Sequence, residues 1–298
     1  MSNLYPIITV LRETLDRSEK FLGGAEEKYK IPWRQTDLTR EQIAIFKIDN
    51  EPRELSRVWI EKLGAELATA MGLPTATYEM CQTEPDLRAI LSPSYMKLEA
   101  QERSGMRLMQ EVLADNERLY AIENVIAVFD RLDIGLPSGY NSPPEISMAK
   151  DLFVGYLLHD YWIDNPDRHD RNWGIQVDLN GNKELLPNYD YGRALVDFPL
   201  TNNRFEIFAE RLGQVRTCAF VNNDGDKIKM DEMVRLLTKI NPDATKYWSD
   251  RIAQVGEKGL NAVFDRFPLN SASPERIEFA KVFIDYNSFR LQQIVQSI

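Results

Sequence analysis

The sequence predicts an α+β chain in two lobes: a small β-rich lobe with one main helix over residues 1–98, then a larger helical lobe over 99–298. Three observations predict it. Strand-length runs of aromatic and β-branched residues gather in the first third. A single amphipathic run interrupts them. After Lys97 the apolar residues recur mostly at the 3.6-residue helical period.

The elements follow in order. Residues 27–33 (EKYKIPW) and 42–48 (QIAIFKI) read as a hairpin with RQTDLTRE as its turn. From Arg53 to Met71, Trp59, Ile60, Leu63, Leu67, Ala70 and Met71 recur at helical spacing, and Gly72 with Pro74 supplies the stop. TATYEMC (75–81) and LRAILSPSYMKL (87–98) read as two further strands, so that a small sheet carries one helix over residues 20–98. QERSGMRLMQEVLA (101–114), NERLYAIENVIAVFDRL (116–132) and EISMAKDLFVGYLLHDYWI (145–163) fit helices. Asn180-Gly181 is the strongest two-residue hairpin signal, placed inside WGIQVDLNGNKELLPNYD. The last hundred residues return to helices such as 230–240 and 274–298.

Composition narrows the function. A chain of 298 residues with 43% hydrophobic and 28% charged residues can bury a sizeable core. It has no apolar run long enough to cross a bilayer and no signal-peptide pattern at its start, so the expected location is the cytoplasm. Cys81 and Cys218 are far apart, and His159 and His169 are the only histidines, which leaves too few soft ligands for a transition-metal centre. Any metal should be a hard cation held by oxygen. The net charge of −10 repels a phosphate backbone and argues against nucleic acid as a direct ligand, while leaving room for a small phosphate compound in a local basic pocket.

One stretch stands out. DNPDRHDRNWG, residues 164–174, crowds six ionisable side chains into eleven positions after an apolar helix, and a hairpin and a second acid, in NYDYG, follow it. This order suits phosphoryl transfer, in which one Asp orients or deprotonates the attacking hydroxyl and an Asn five residues later binds magnesium. Asp167 and Asn172 have that spacing, and Asp190 offers an oxygen ligand from the far side of the hairpin. Gly192 is expected to let the chain turn away tightly. His159, on the helix before the loop, reads as a satisfied histidine, and the two cysteines as core or surface thiols.

DNPDRHDRNWG followed by LLPNYDYG resembles the N-x-D-R-H-x-x-N and Y-D signature of the HipA-like kinases, bacterial Ser/Thr kinases with a two-lobed protein-kinase-like fold. The resemblance implies that Asp167 is the catalytic base, Asn172 and Asp190 the Mg2+ ligands and His169 a loop-ordering residue. It also implies that GGAEEK (23–28) is the ATP phosphate loop, with Gly23, Gly24, Ala25 and Lys28, and that Lys47 is the ATP-phosphate lysine. The partner of Lys47 should be an acid on the following helix. Glu61 matches the family pattern, seven residues before the Ala of Leu67-Ala68, and lies beside Gly64, Ala65 and Ala68; Glu66 is the alternative.

Two departures accompany the resemblance. HipA proteins carry an additional N-terminal subdomain, whereas about twenty residues precede the loop here, which leaves an antitoxin-like partner and a toxin–antitoxin role open. HipA also carries an autophosphorylated serine three residues before its Gly-Ala pair, where this chain has Phe21. Self-inactivation through that loop should be absent or use another site such as Ser18. The expected activity is Mg-ATP-dependent phosphotransfer to a Ser or Thr of a protein substrate. The alternatives are a kinase-fold enzyme that phosphorylates a small molecule or transfers the nucleotide, and a catalytically silent binding module.

Overall fold

The computed structural model describes residues 4–16, 18–22, 27–33, 42–49, 57–84, 87–97, 99–114, 117, 119–195, 210–222, 224–269 and 271–298. The first lobe contains β1 (Ile7–Thr9), α1 (Arg12–Asp16), β2 (Glu19–Leu22), β3 (Glu27–Trp33), β4 (Gln42–Asp49), α2 (Val58–Met71), β5 (Glu79–Glu84) and β6 (Leu87–Pro93). Its strands form one sheet in the order β1-β5-β6-β4-β3-β2, antiparallel except where β1 runs parallel to β5. The expected β3–β4 hairpin forms, with Lys28 opposite Lys47 and Trp33 opposite Gln42. Alternation along β4 sorts its two faces. Ala44, Phe46 and Ile48 join Ile31, Cys81, Ala89 and Leu91 in a small core closed by Val10 and Leu15. Ile43, Ile45 and Lys47 occupy the other face, where α2 lies.

The main helix runs from Val58 to Met71 with Arg57 as its N-cap, and residues 53–56 of its sequence pattern lie outside the described residues. The Arg57 N–H donates to Asp49 Oδ2 at 2.9 Å, which ties the helix entrance to the end of β4. Gly72 closes it in the left-handed conformation, as the Gly-x-Pro stop predicts.

The second lobe contains β7 (Gln101–Ser104), α3 (Gly105–Val112), α4 (Ile122–Leu132), α5 (Ala149–Trp162), β8 (Gly174–Val177), β9 (Lys183–Leu185), β10 (Thr217–Val221), β11 (Lys227–Lys229), α6 (Met230–Ile240), α7 (Pro242–Phe264) and α8 (Pro274–Gln296). Residues 101–104, expected to open a helix, form a strand instead. They pair with β8 from Gln101 opposite Val177 to Ser104 opposite Gly174, so a partner far along the chain overrides the local helical period. The β8–β9 hairpin forms with a longer loop than Asn180-Gly181 predicts. Asp178 closes residues 178–182 by accepting from the Asn180 N–H at 2.8 Å, the Asn182 N–H at 3.0 Å and the Asn182 amide at 2.8 Å.

Helix α5 is buried along nearly its whole length and forms the axis of this lobe, packed by α7 and α8. Among the links that join the lobes, two lie away from the cleft on α7 and the residues just after it. Arg251 of α7 donates to the Met71 carbonyl at 3.1 Å, which holds the end of α2 on the helical lobe. The Tyr5 N–H donates to the Arg266 carbonyl at 2.7 Å, and the Tyr5 ring sits 4.1 Å from the Arg266 guanidinium and 4.8 Å from the Lys62 ammonium.

Candidate active site

Lys47 leaves the cleft face of β4 and meets α2. Its Nζ donates to Glu61 Oε1 at 3.1 Å and lies 3.9 Å from Asp190 Oδ1. Glu61 is the partner because the helix turns Glu66 the other way, onto Lys62 at 2.9 Å and Arg266 at 3.6 Å. Burial pushes the Glu61 carboxyl above its usual range, while Lys47 and the Tyr191 N–H, donating to Glu61 Oε2 at 2.8 Å, pull it back. The carboxylate therefore joins the β4 lysine to the segment that carries Asp190.

That segment, residues 187–193, threads between α2 and α5. A side chain at Gly64 would place its Cβ 2.5 Å from the Tyr191 ring, so the small face of α2 admits Tyr191. The chain turns at Gly192, as expected, without a positive φ there; the left-handed residue is Asp190, with φ 65°. The role of Gly192 is space, since a Cβ there would lie 3.1 Å from Glu61 Oε1. Asp190 is held by its own N–H donating to the Tyr78 hydroxyl at 3.0 Å, and Tyr191 by a 2.6 Å hydrogen bond between its hydroxyl and that of Thr75. The Asp190 carboxylate remains one-third exposed.

The loop at 164–174 is built around a buried arginine. Arg168 grips Asp160 of α5 through two hydrogen bonds of 2.7 and 2.8 Å and donates to the carbonyls of Asn172 and Tyr189. Burial raises the Asp160 carboxyl, with Arg168 and the Asn165 amide opposing. Asn165 donates to Asp160 at 2.8 Å and to the Asp190 carbonyl at 3.5 Å. These bonds tie the loop to both α5 and the 187–193 segment. The Asn172 amide nitrogen donates to the Asp167 carbonyl at 2.8 Å, which leaves the side-chain carbonyl oxygen as the atom that can ligate a metal. His169 accepts the Arg171 N–H at 3.1 Å on Nδ1, and its Nε2 lies 3.9 Å from the half-exposed Asp167 carboxylate.

The fold brings Lys47, Glu61 and Asp190 together, and holds Asp167, His169 and Asn172 on one loop fastened to the same segment. Lys28 stands directly opposite Lys47 in the strand register and so on the same sheet face. Gly23, Gly24 and Ala25 lie outside the described residues. Phe21 belongs to β2, and the Ser18 hydroxyl donates back to the Thr14 carbonyl. Asn172 and Asp190 are hard oxygen donors of the kind that suits Mg2+ completed by water and phosphate oxygens. Among the described residues no group of three or more His, Cys, Asp or Glu side chains is placed to hold a metal.

Sequence reasoning missed Asp160, Arg168 and Asn165 as the frame of the loop. It also missed the stack of Tyr95, just after β6, on Tyr189, with ring centroids 5.5 Å apart beside Asp190. Arg168 stands inside the recognised motif and was the available signal; the other contacts join residues far apart in the chain. His159 is fully buried, 5.3 Å from the Tyr191 ring; its Nδ1 lies 3.4 Å from the Asn188 amide, whereas its Nε2 has no hydrogen-bond partner among the described residues, so the satisfied histidine expected is satisfied on one side only.

No family model and no curated relative matches the sequence. By structure the chain is similar to the proinflammatory kinase CtkA of Helicobacter pylori, with a TM-score of 0.71 and 14% identity over 98% of each chain. It is also similar to HipA of Shewanella oneidensis MR-1, from a toxin–antitoxin complex with HipB and operator DNA. There the TM-score is 0.62 at 13% identity, over 97% of this chain and 69% of that one.

Proposed function

We propose, from the HipA-like kinase fold that the chain adopts, that the protein is an Mg-ATP-dependent phosphotransferase whose acceptor is a Ser or Thr hydroxyl of another protein. Residues 1–98 then hold the nucleotide, and 99–298 present the loop at 164–174 and the acidic segment at 187–193. The observation that carries the reading is the Lys47 ammonium, paired with Glu61 at 3.1 Å and lying 3.9 Å from Asp190. It is a cation held where a phosphate chain and its metal would meet.

In this reading Lys47 binds the α and β phosphates and Glu61 keeps it oriented. Lys28, opposite Lys47, faces the phosphates, and Gly23, Gly24 and Ala25 keep the phosphate-contacting role that the resemblance implies. The exposed Ile45 on the same sheet face and the Tyr95–Tyr189 stack offer apolar surfaces for the purine. Asn172 and Asp190 would hold Mg2+, which when bound supplies neutralising charge for the transferring phosphoryl group. Asp167 orients the acceptor hydroxyl and takes its proton as the new O–P bond forms and the bond to the β-phosphate oxygen breaks, releasing ADP. His169 orders the loop around Asp167.

The test is transfer of labelled γ-phosphate from ATP with magnesium to proteins of a bacterial extract, with Asp167→Ala and Asp190→Ala alongside. Both variants should lose transfer, and Asp167→Ala should still be stabilised by ATP. Transfer that survives in Asp167→Ala would sink the assignment. ATP binding with no labelled protein would turn the reading toward a small-molecule acceptor or a silent module.

A further inference from the structure

The segment that carries Asp190 is gripped from the first lobe by the stretch between α2 and β5. The Asn188 N–H donates to the Pro74 carbonyl at 2.9 Å, and the Asn188 carbonyl accepts from the Ala76 N–H at 2.8 Å and the Thr75 hydroxyl at 3.1 Å. These bonds form a short parallel bridge with Thr75 opposite Asn188. A parallel ladder continued from there would bring the Asp190 N–H to the Ala76 carbonyl. It goes instead to a side chain, the Tyr78 hydroxyl, at 3.0 Å. The ladder breaks because Asp190 leaves the extended conformation for the left-handed one, φ 65°, which a residue with a side chain adopts only at a cost. In that conformation its carboxylate comes within 3.9 Å of Lys47 Nζ. Tyr78 is itself buried, with its ring edge-on to the Tyr191 ring at a centroid distance of 6.0 Å, so its hydroxyl is held in place.

We propose that Tyr78 is the positioning residue for the metal-binding acid: its hydroxyl takes the N–H that the bridge leaves over and keeps Asp190 in the conformation that turns its carboxylate into the cleft. The inference rests on the phosphotransferase reading for the metal, while the conformation stands on the hydrogen bonds alone. Without the hydroxyl the Asp190 N–H loses its acceptor, and extended conformations that complete the ladder gain population. Apparent metal affinity then falls with the fraction of molecules that keep Asp190 turned into the cleft.

The test is Tyr78→Phe, which keeps the ring and removes the hydroxyl, beside Asp190→Ala and Tyr161→Phe. The last removes a hydroxyl bonded to Asp231 of α6 and reports what the loss of a tyrosine hydrogen bond does elsewhere in the molecule. Mn2+ is the probe for the Mg2+ site, and its binding to the whole chain in the presence of ADP is read by electron paramagnetic resonance, with melting temperatures showing that the variants fold. Tyr78→Phe should weaken Mn2+ binding about three- to tenfold. In labelled-phosphate transfer it should raise the Mg2+ concentration for half-maximal rate by the same factor, with kcat at saturating Mg2+ close to the parent's. Tyr161→Phe should move neither. Mn2+ affinity unchanged in Tyr78→Phe, an equal loss in Tyr161→Phe, or a fall in kcat that saturating Mg2+ does not restore would overturn the proposal. Mn2+ binding that is absent from the parent, or that survives in Asp190→Ala, would overturn the metal assignment and the proposal with it. Binding lost in Asp190→Ala but kept in full by Tyr78→Phe would remove Tyr78 alone.

Discussion

At the scale of single residues, Lys47, Glu61 and Glu66 separate function from packing. Glu61→Gln removes the carboxylate that the Lys47 ammonium donates to, leaving Asp190 at 3.9 Å, and should lower phosphotransfer by about a hundredfold in steady-state assays with labelled ATP. Glu66→Gln should stay close to the parent, because Glu66 faces Lys62 and Arg266. His159 gives a different readout. Burial, reinforced by the Arg168 charge, lowers its pKa from 6.5 to about 3, so the folded protein holds it neutral. The unfolded chain takes up that proton near pH 6.5. The stability contributed by the neutral ring is therefore complete above that pH and falls toward pH 3, by about 1.4 kcal/mol per pH unit. Urea titrations from pH 6.5 to 5 should show a loss about 2 kcal/mol smaller in His159→Gln than in the parent; matching slopes would refute it. Site residues of this kind were legible in the sequence because their chemistry is local: D-x-x-x-x-N is a spacing on one loop. The Lys47–Glu61 pairing was legible only as a choice between two acids, since it depends on how α2 is rotated against β4.

At the scale of elements, α2 and the 164–174 loop depend on close approaches that periodicity does not encode. Gly64→Ala would gain about 1 kcal/mol of helix propensity on an isolated helix. Against the Tyr191 ring it should instead destabilise the protein by about 1–3 kcal/mol in urea melts and lower phosphotransfer with it, since Tyr191 also holds Glu61. A stabilised Gly64→Ala would show that the ring moves aside freely. Arg168→Ala leaves Asp160 charged and buried and should cost about 3–5 kcal/mol, whereas a surface arginine would cost little. The β3–β4 and β8–β9 hairpins and most helices could be read from pattern, but the β10–β11 hairpin, in a stretch read as returning to helices, was not. The strand at 101–104 could not, because its reason to be extended is β8, some seventy residues later.

At the scale of the molecule, α2 is tied to the helical lobe as well as to the sheet: Arg251 holds its end, Tyr191 fills its small face, and Glu61 reaches the Asp190 segment. Nucleotide binding should therefore draw β3 and β4 toward a helix that is already placed. Mg-ATP is expected to slow amide exchange in β3 and β4 while leaving α2 and α7 unchanged; equal protection gained by α2 would contradict this. The two-lobe division and its sheet were visible in the sequence as a change of period. The parallel seat of β1 on β5 was not, and neither was Tyr5 between Lys62 and Arg266, because such contacts leave no mark on neighbouring residues. Tyr5 leaves the ribosome about 260 residues ahead of Arg266. The segment carrying Tyr5 must wait, unclasped, until Arg266 follows, and the end of α2 waits with it for α7. A nascent chain halted before residue 242 would then lack the Arg251 tie that seats the helix carrying Glu61 on the helical lobe.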